Sequence, residues 1–186
     1  MAQFLLMAMS LRKDSLNKKL IGNAYRLLTS EKSQHQFESL QFNDFPMPVY
    51  DGDVEATSGV PESVKRLAQK ISTAHALIVS TPEYNGGIAG PFKNAIDWIS
   101  RVSPMPWPGK NVLLLGASPG SLGAIRGLAH SRVPLESLGV FVFPEMFGLP
   151  QAHQAFDEAG KLKDPAVEER LRKLLFKFRD HVKSAL

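Results

Sequence analysis

An apolar run, Ala76-Leu77-Ile78-Val79-Ser80-Thr81, leads directly into Pro82-Glu83-Tyr84-Asn85-Gly86-Gly87-Ile88-Ala89-Gly90-Pro91 and then into Phe92-Lys93-Asn94-Ala95-Ile96-Asp97-Trp98. A strand ending in a glycine-rich loop that feeds a helix is where an open α/β sheet binds its ligand. Pro82, Glu83, Tyr84 and Asn85 make a flat, partly aromatic wall with backbone amides free to point inward, which suits a planar heterocycle better than a metal or a peptide. A second constellation, Ser10-Leu11-Arg12-Lys13-Asp14-Ser15-Leu16-Asn17, follows an earlier apolar run. It puts hydroxyls, an amide and a guanidinium at a helix entrance, where free N–H groups and the helix dipole attract a phosphate. Alone, this segment reads equally well as a Ser15 helix cap beside a surface Arg12. With the Pro82 loop in the same chain, the phosphate reading prevails.

Other chemistries fall away on composition and spacing. The chain has no cysteine, which removes disulfides, thiolate nucleophiles and iron–sulfur ligation. Its five histidines, His35, His75, His130, His153 and His181, lie too far apart for a short metal-binding motif and read as surface or packing residues. Gly116-Ala117-Ser118-Pro119-Gly120 matches the G-x-S-x-G nucleophile elbow, with Asp164 and His181 following in hydrolase order. The residue after that serine must donate its N–H to an oxyanion, and Pro119 has none. The Ser10 loop lacks the glycines that bring backbone to a pyrophosphate, so a monophosphate ligand fits better than a dinucleotide.

The elements that must position these groups alternate along the chain. Strands are expected near Gln3–Met9, Gln36–Gln41, Ala76–Thr81, Val112–Ala117 and Val140–Val142. Helices are expected around Leu16 to Leu28, from Pro61, from near Pro91, from near Leu122, and over the basic C-terminal segment. Five strands alternating with five helices predict a three-layer α/β fold, a parallel sheet in the order 2-1-3-4-5 with helices on both faces. Residues 42–58, containing Pro46, Pro48 and Gly52, are expected as an irregular rim to the pocket. The proline-rich segment Ser103–Gly109 carries Trp107 either as an interface element or folded onto the sheet edge.

At 186 residues, 44% apolar and 22% charged, the chain is expected to form one domain over residues 1–186. No apolar stretch approaches the ~18 residues of a membrane span. The Phe4–Met9 run lacks a basic leader, so a cytoplasmic protein with no membrane partner is expected. The net charge of +4 concentrates in residues 161–186, with eight Lys/Arg against four Asp/Glu. Val167, Leu171, Leu174, Leu175, Phe178 and Val182 recur there at helical spacing, so the charges read as a solvated face rather than a specific nucleic-acid site.

The Pro82–Trp98 stretch resembles the P-E-Y-N-x-S-x-P-G-x-L-K-N-A-I-D-W signature of the NADPH-dependent FMN reductases, a flavodoxin-like family that also includes quinone and chromate reductases. Ser10–Asn17 is similar to that family's G-S-L-R-x-x-S-x-N loop, with Met9 in place of the leading glycine. If that position needs a positive φ or a close approach of the phosphate, Met9 forces the loop to rearrange or weakens FMN binding. Gly87, Ala89 and Phe92 stand where the signature has Ser, Pro and Leu, and the first two are expected to loosen the loop. Ser118-Pro119-Gly120-Ser121-Leu122-Gly123-Ala124-Ile125-Arg126 resembles S-x-G-x-x-G-G-x-R with Ala124 replacing a glycine, and Phe156–Leu162 is similar to F-D-E-x-G-x-L. The resemblance implies a flavodoxin-like fold in which Ser10, Arg12, Ser15 and Asn17 hold the FMN phosphate while Pro82, Glu83, Tyr84, Asn85, Ser118 and Gly120 surround the ring. It implies hydride transfer from NADPH or NADH to flavin N5 and on to a small acceptor such as a flavin or quinone. No side chain is then needed as a catalytic acid or base, and no metal. A homodimer or homotetramer is also implied. The rival reading is a flavodoxin-like FMN-binding electron carrier without small-substrate turnover. A pI near 9.4 opposes it, because such carriers are acidic proteins that dock on basic partners.

Overall fold

The computed structural model describes residues 1–184. Its central sheet is built from β1 (Gln3–Ala8), β2 (Gln36–Leu40), β3 (Ala76–Ser80), β6 (Asn111–Ala117), β7 (Phe141–Val142) and β8 (Phe147–Leu149). The order is β2-β1-β3-β6-β7, with β8 also paired to β6, and every pairing in it is parallel. Helices α1 (Leu16–Thr29) and α6 (Pro165–Ser184) cover one face, where Phe4, Leu6, Ile78 and Leu113 meet Leu20, Ala24, Leu171 and Phe178. Helices α3 (Glu62–Thr73) and α4 (Gly90–Ile99) cover the other, against Leu5, Met7, Leu77 and Leu114. The two clusters follow from the strand period of two. Phe4 and Leu6 point to one face, Leu5 and Met7 to the opposite one, so a strand buried on both sides reads as unbroken apolar sequence.

This is the expected flavodoxin-like order, with corrections. The fifth strand is split: β7 pairs with the start of β6 and β8 with its end. Pro144 lies between the two pieces and has no N–H for a ladder. Arg132 instead donates to the carbonyls of Val142 and Phe143, at 3.2 and 2.9 Å. The sheet thus has six strands rather than five. Residues 42–58 are not wholly irregular, for they contain a 3-10 turn at Phe42–Asp44 and a sixth helix, α2 (Gly52–Ser58). Helix α2 buries none of its residues, so it leaves no apolar periodicity; the Asp51 carboxylate caps it by accepting from the Asp53 amide at 2.8 Å. Helix α5 (Ile125–Glu136) begins three residues later than expected, because Gly123 and Ala124 have φ of 58° and 68°. Trp107 is folded inward on the sheet edge and buried.

Two glycines test this account. Gly123 has the left-handed φ, and a Cβ there would lie 2.8 Å from the Pro150 nitrogen and 2.9 Å from the Leu149 backbone. Gly22, inside α1, has nothing within 4 Å of its Cβ position. Gly123→Ala should cost about 2 kcal/mol or more, whereas Gly22→Ala should stabilise by about 0.5–1 kcal/mol. Urea unfolding of the two variants beside the wild type measures both.

Candidate functional site

Three loops meet at the carboxyl edge of the sheet, after β1, β3 and β6. Side by side there, the strand ends are tied by main-chain bonds: the Met9 amide donates to the Ser80 carbonyl at 2.8 Å and the Thr81 amide to the Leu115 carbonyl at 2.9 Å. Beyond these bonds the ladder has run out, and the Asn17 side chain continues it. Its Oδ1 accepts from the Ser80 hydroxyl at 2.8 Å and the Ala117 amide at 2.9 Å, while its Nδ2 donates to the Ala117 carbonyl at 3.0 Å. Asn17 is 3% exposed. One amide therefore locks the first turn of α1 to the ends of β3 and β6.

The segment before that turn presents groups that suit an anion. Ser15 caps α1, its hydroxyl oxygen accepting from the amides of Asn17 and Lys18 at 3.2 and 3.4 Å. Among the described residues, the main-chain N–H groups of Leu11, Arg12, Lys13 and Asp14 have no hydrogen-bond partner, nor has the hydroxyl of Ser10, which stays open to solvent although the residue as a whole is 3% exposed. An unpartnered hydroxyl and several free amides leading into a helix N-terminus fit a phosphate. Arg12 is exposed beside them and free to close over an anion. Met9 has no positive φ and is buried with its amide bonded to the Ser80 carbonyl, so the missing glycine imposes no backbone strain there.

The second loop folds back as a hairpin, β4 (Glu83–Tyr84) against β5 (Gly87–Ile88), closed by Asn85-Gly86 with φ of 51° and 74°. An Asn-Gly pair with both φ positive is the turn that suits the strand twist. Gly87 is a ladder residue here, and a Cβ on it would find its nearest atom at 3.7 Å, so a side chain would fit at this position. Tyr84 stands 46% exposed. Glu83 turns inward: its carboxylate accepts from the Arg126 and Gly127 amides, both at 3.1 Å, and pairs with the Arg126 guanidinium, Nε lying at 2.8 Å. Burial pushes the Glu83 carboxyl up, but the hydrogen bonds from Arg126 and from the Gly127 amide outweigh it and hold the group below the usual carboxylate range.

The third loop is held from behind. Ser118 donates from its amide to the Leu149 carbonyl and Ala152 from its amide to the Ser118 carbonyl, while the Gln151 amide reaches the Gly120 carbonyl, at 3.2, 3.0 and 3.1 Å. Behind the second loop, Trp98 and Asn94 of α4 both donate to the Pro48 carbonyl at 2.8 Å, and the Tyr50 amide donates to Asn94. That holds the 42–50 segment as the wall of an apolar cavity of about 630 Å³, lined by Leu11, Phe42, Phe45, Met47, Val49 and Pro91 among others.

The expected site residues thus converge on one edge, but with different duties. Ser10 and Arg12 offer free groups. Ser15 and Asn17 spend their side chains on the helix cap and the strand ends. Pro82, Tyr84 and Asn85 lie in the loop after β3 and Ser118 and Gly120 in the loop after β6, whereas the Glu83 carboxylate is taken up by α5. Sequence reasoning gave Arg126 and Ser80 no role; the only trace of the first was its place in the Ser118–Arg126 motif. The hydrolase constellation is absent, for Asp164 caps α6 through the Ala166 amide and the His181 ring packs on Phe143. Among the described residues no three His, Cys, Asp or Glu side chains gather into a metal site, and no helix is long and apolar enough to cross a membrane.

A family model described as NADPH-dependent FMN reductase matches residues 3–154. An NAD(P)H-dependent FMN reductase of Pseudomonas aeruginosa is 37% identical over 169 residues, 89% of this chain and 87% of that protein. A quinone reductase of Escherichia coli is 31% identical over 175 residues, 93% of this chain and 91% of that protein. Among solved structures, the flavoenzyme NAD(P)H:(acceptor) oxidoreductase of Paracoccus denitrificans superposes with a TM-score of 0.83 at 33% identity, covering 99% of this chain and 98% of that one.

Removing the Asn17 amide leaves the Ser80 hydroxyl and both main-chain groups of Ala117 without partners in a buried setting. At about 1–3 kcal/mol for each unsatisfied group, Asn17→Ala should cost at least about 2 kcal/mol. Asn17→Asp should not rescue it, since the carboxylate cannot donate to the Ala117 carbonyl. Thermal unfolding of the apo-protein, with no ligand to confuse the comparison, measures both.

Proposed function

The chain belongs to the NADPH-dependent FMN reductase family and is an FMN-dependent NAD(P)H oxidoreductase, and we propose that the Ser10–Asn17 cradle holds the FMN phosphate while the Pro82–Asn85 and Ser118–Gly120 walls hold its ring. The observation that carries the placement is the unpartnered, solvent-open Ser10 hydroxyl beside four main-chain amides without partners in the segment that leads into α1. FMN supplies the redox chemistry when bound, accepting hydride from NAD(P)H and releasing electrons to the acceptor. The protein's own part is to bind and orient. Ser10, Arg12 and the loop amides neutralise the phosphate, Asn17 fixes the cradle against the strand ends, and the Asn85-Gly86 turn sets the first wall. Residues 1–186 act as one flavodoxin-like FMN-binding domain. The acceptor is a small molecule, and the 630 Å³ cavity lined by Leu11, Phe45 and Pro91 favours a flat, apolar one such as a flavin or quinone. A cytoplasmic location fits a reductant that is an intracellular metabolite.

We extend the proposal to a homodimer or homotetramer. Leu122, Ile125, Ala129 and Val133 form an exposed apolar stripe at the start and along the outer face of α5, beside exposed Tyr84. Such a patch at the lip of a site marks an interaction surface. Light scattering should give a multiple of 20.5 kDa for the wild type, and the paired substitution Ile125→Glu with Val133→Glu should lower it. A monomeric wild type rules the assembly out.

Steady NAD(P)H oxidation by the pure protein with a quinone separates the reductase from a mere carrier. The phosphate placement is tested by Arg12→Ala, which should weaken FMN much more than riboflavin. Losing one charged hydrogen bond costs about 1.5–3 kcal/mol, about a 10- to 150-fold rise in Kd. Titrating the apo variant with each ligand by fluorescence quenching gives both constants, and equal losses would move the phosphate elsewhere.

A further inference from the structure

The hairpin that forms the first wall has only two paired residues on each side, too few to stand alone. What holds it is a contact 43 residues away in sequence. Helix α5 starts without a side-chain cap, because its flanking residue is Ala124 in the left-handed conformation. The Glu83 carboxylate supplies the cap from the hairpin packed directly on α5, accepting from the amides of Arg126 and Gly127. Arg126 then folds back under the hairpin turn, its guanidinium carbon 3.6 Å from the Gly86 Cβ position. Gly127 completes the fit: a Cβ there would lie 3.0 Å from both the Glu83 Cβ and the Gly87 carbonyl oxygen. The Glu83 side chain is 8% exposed, the Arg126 side chain 58%.

We infer that Glu83 and Arg126 are positioning residues of the flavin site, joining its two walls at a fixed separation and setting the electrostatic field between them with a buried anion and an exposed cation. This rests on the FMN placement proposed above. The two charges oppose one another at the ring. Reduction adds negative charge to the flavin, which an uncompensated cation favours and an uncompensated anion opposes. The pair therefore has a signature that simple bracing lacks: breaking the same contact from either side should move the bound flavin's midpoint potential in opposite directions.

The test uses Glu83→Ala, Glu83→Gln and Arg126→Gln. Apo-protein titrations should show Glu83→Ala weakening FMN and riboflavin by the same factor, about tenfold for a wall correctly placed a tenth of the time. Glu83→Gln, which keeps an oxygen for the α5 amides, should recover most of that affinity. In the flavin-loaded proteins at low ionic strength, Glu83→Gln should raise the midpoint potential and Arg126→Gln should lower it, both shifts shrinking as salt is added. Unchanged flavin affinity in a folded Glu83→Ala variant, a loss confined to FMN, or potentials that move together or not at all would each overturn the inference. Should Glu83→Ala fail to fold, the two potentials decide alone. A wild-type protein that binds neither flavin would overturn the FMN placement itself, and this inference with it, a result distinct from any variant-specific loss.

Discussion

The site depends on one buried amide. A parallel sheet ends in loops that diverge, and nothing in the ladder itself keeps the loop after one strand in register with the loop after the next. Asn17 extends the ladder by one step. Its oxygen and nitrogen meet the N–H and C=O of Ala117 as a neighbouring strand would, and the same oxygen takes the Ser80 hydroxyl. Only a side chain that both donates and accepts can do this, and in a buried setting each bond left unmade is costly. Because Asn17 belongs to the first turn of α1, the constraint carries over to the cradle. The segment carrying the free amides of residues 11–14 leads into a helix that is fixed to the strand ends.

The opposite wall is held by different means. Gly123 and Ala124 turn the chain left-handed immediately before α5, bringing it against Leu149 and Pro150, where Gly123 has no room for a side chain. That close turn leaves α5 without a local cap, and Glu83 supplies one from the facing loop. The close packing that removed the usual capping residue thus makes the two walls interdependent. The left-handed Ala124 stands where the family carries glycine. Its Cβ costs on the order of 1–2 kcal/mol in that conformation, so the surrounding contacts must hold the turn in place.

Most of the fold was legible because its signals are strong and local. Apolar strands buried on both faces, the 3.6-residue periodicity of α1, α3 and α6, and Pro91 at the start of α4 each have a single reading. The loops were legible as sites through their residue types: an Asn-Gly turn, serines at a helix entrance, a glycine-rich return. What escaped depends on contacts between distant segments. Helix α2 has no buried face, and β8 is three residues that become a strand only because the end of β6 needs a partner beyond Pro144. The duties within the site escaped for the same reason. Residue type suggests that Asn17 and Glu83 are ligands. Their partners, 100 and 43 residues away, make them the struts that hold the ligands in place.

Charge selection at this site is local. The chain's cationic excess lies on α6, where Arg172 pairs with Glu31 and Lys177 with Glu145, so much of it is neutralised where it stands. Exposed charges are in any case screened beyond about 8–10 Å at physiological salt. Near the cradle, Lys18 is engaged by the Asn43 side chain at 2.6 Å. A phosphate in the proposed cradle would therefore be held by free main-chain N–H groups, the unpartnered Ser10 hydroxyl and the exposed Arg12 guanidinium. A ligand that binds through its ring alone meets only the walls. On the proposed reading this separates the two nucleotides of the reaction: FMN is retained because cradle and walls both grip it, whereas the nicotinamide nucleotide, offered no second cradle of this kind among the described residues, meets chiefly the exposed walls and is free to leave after each turnover.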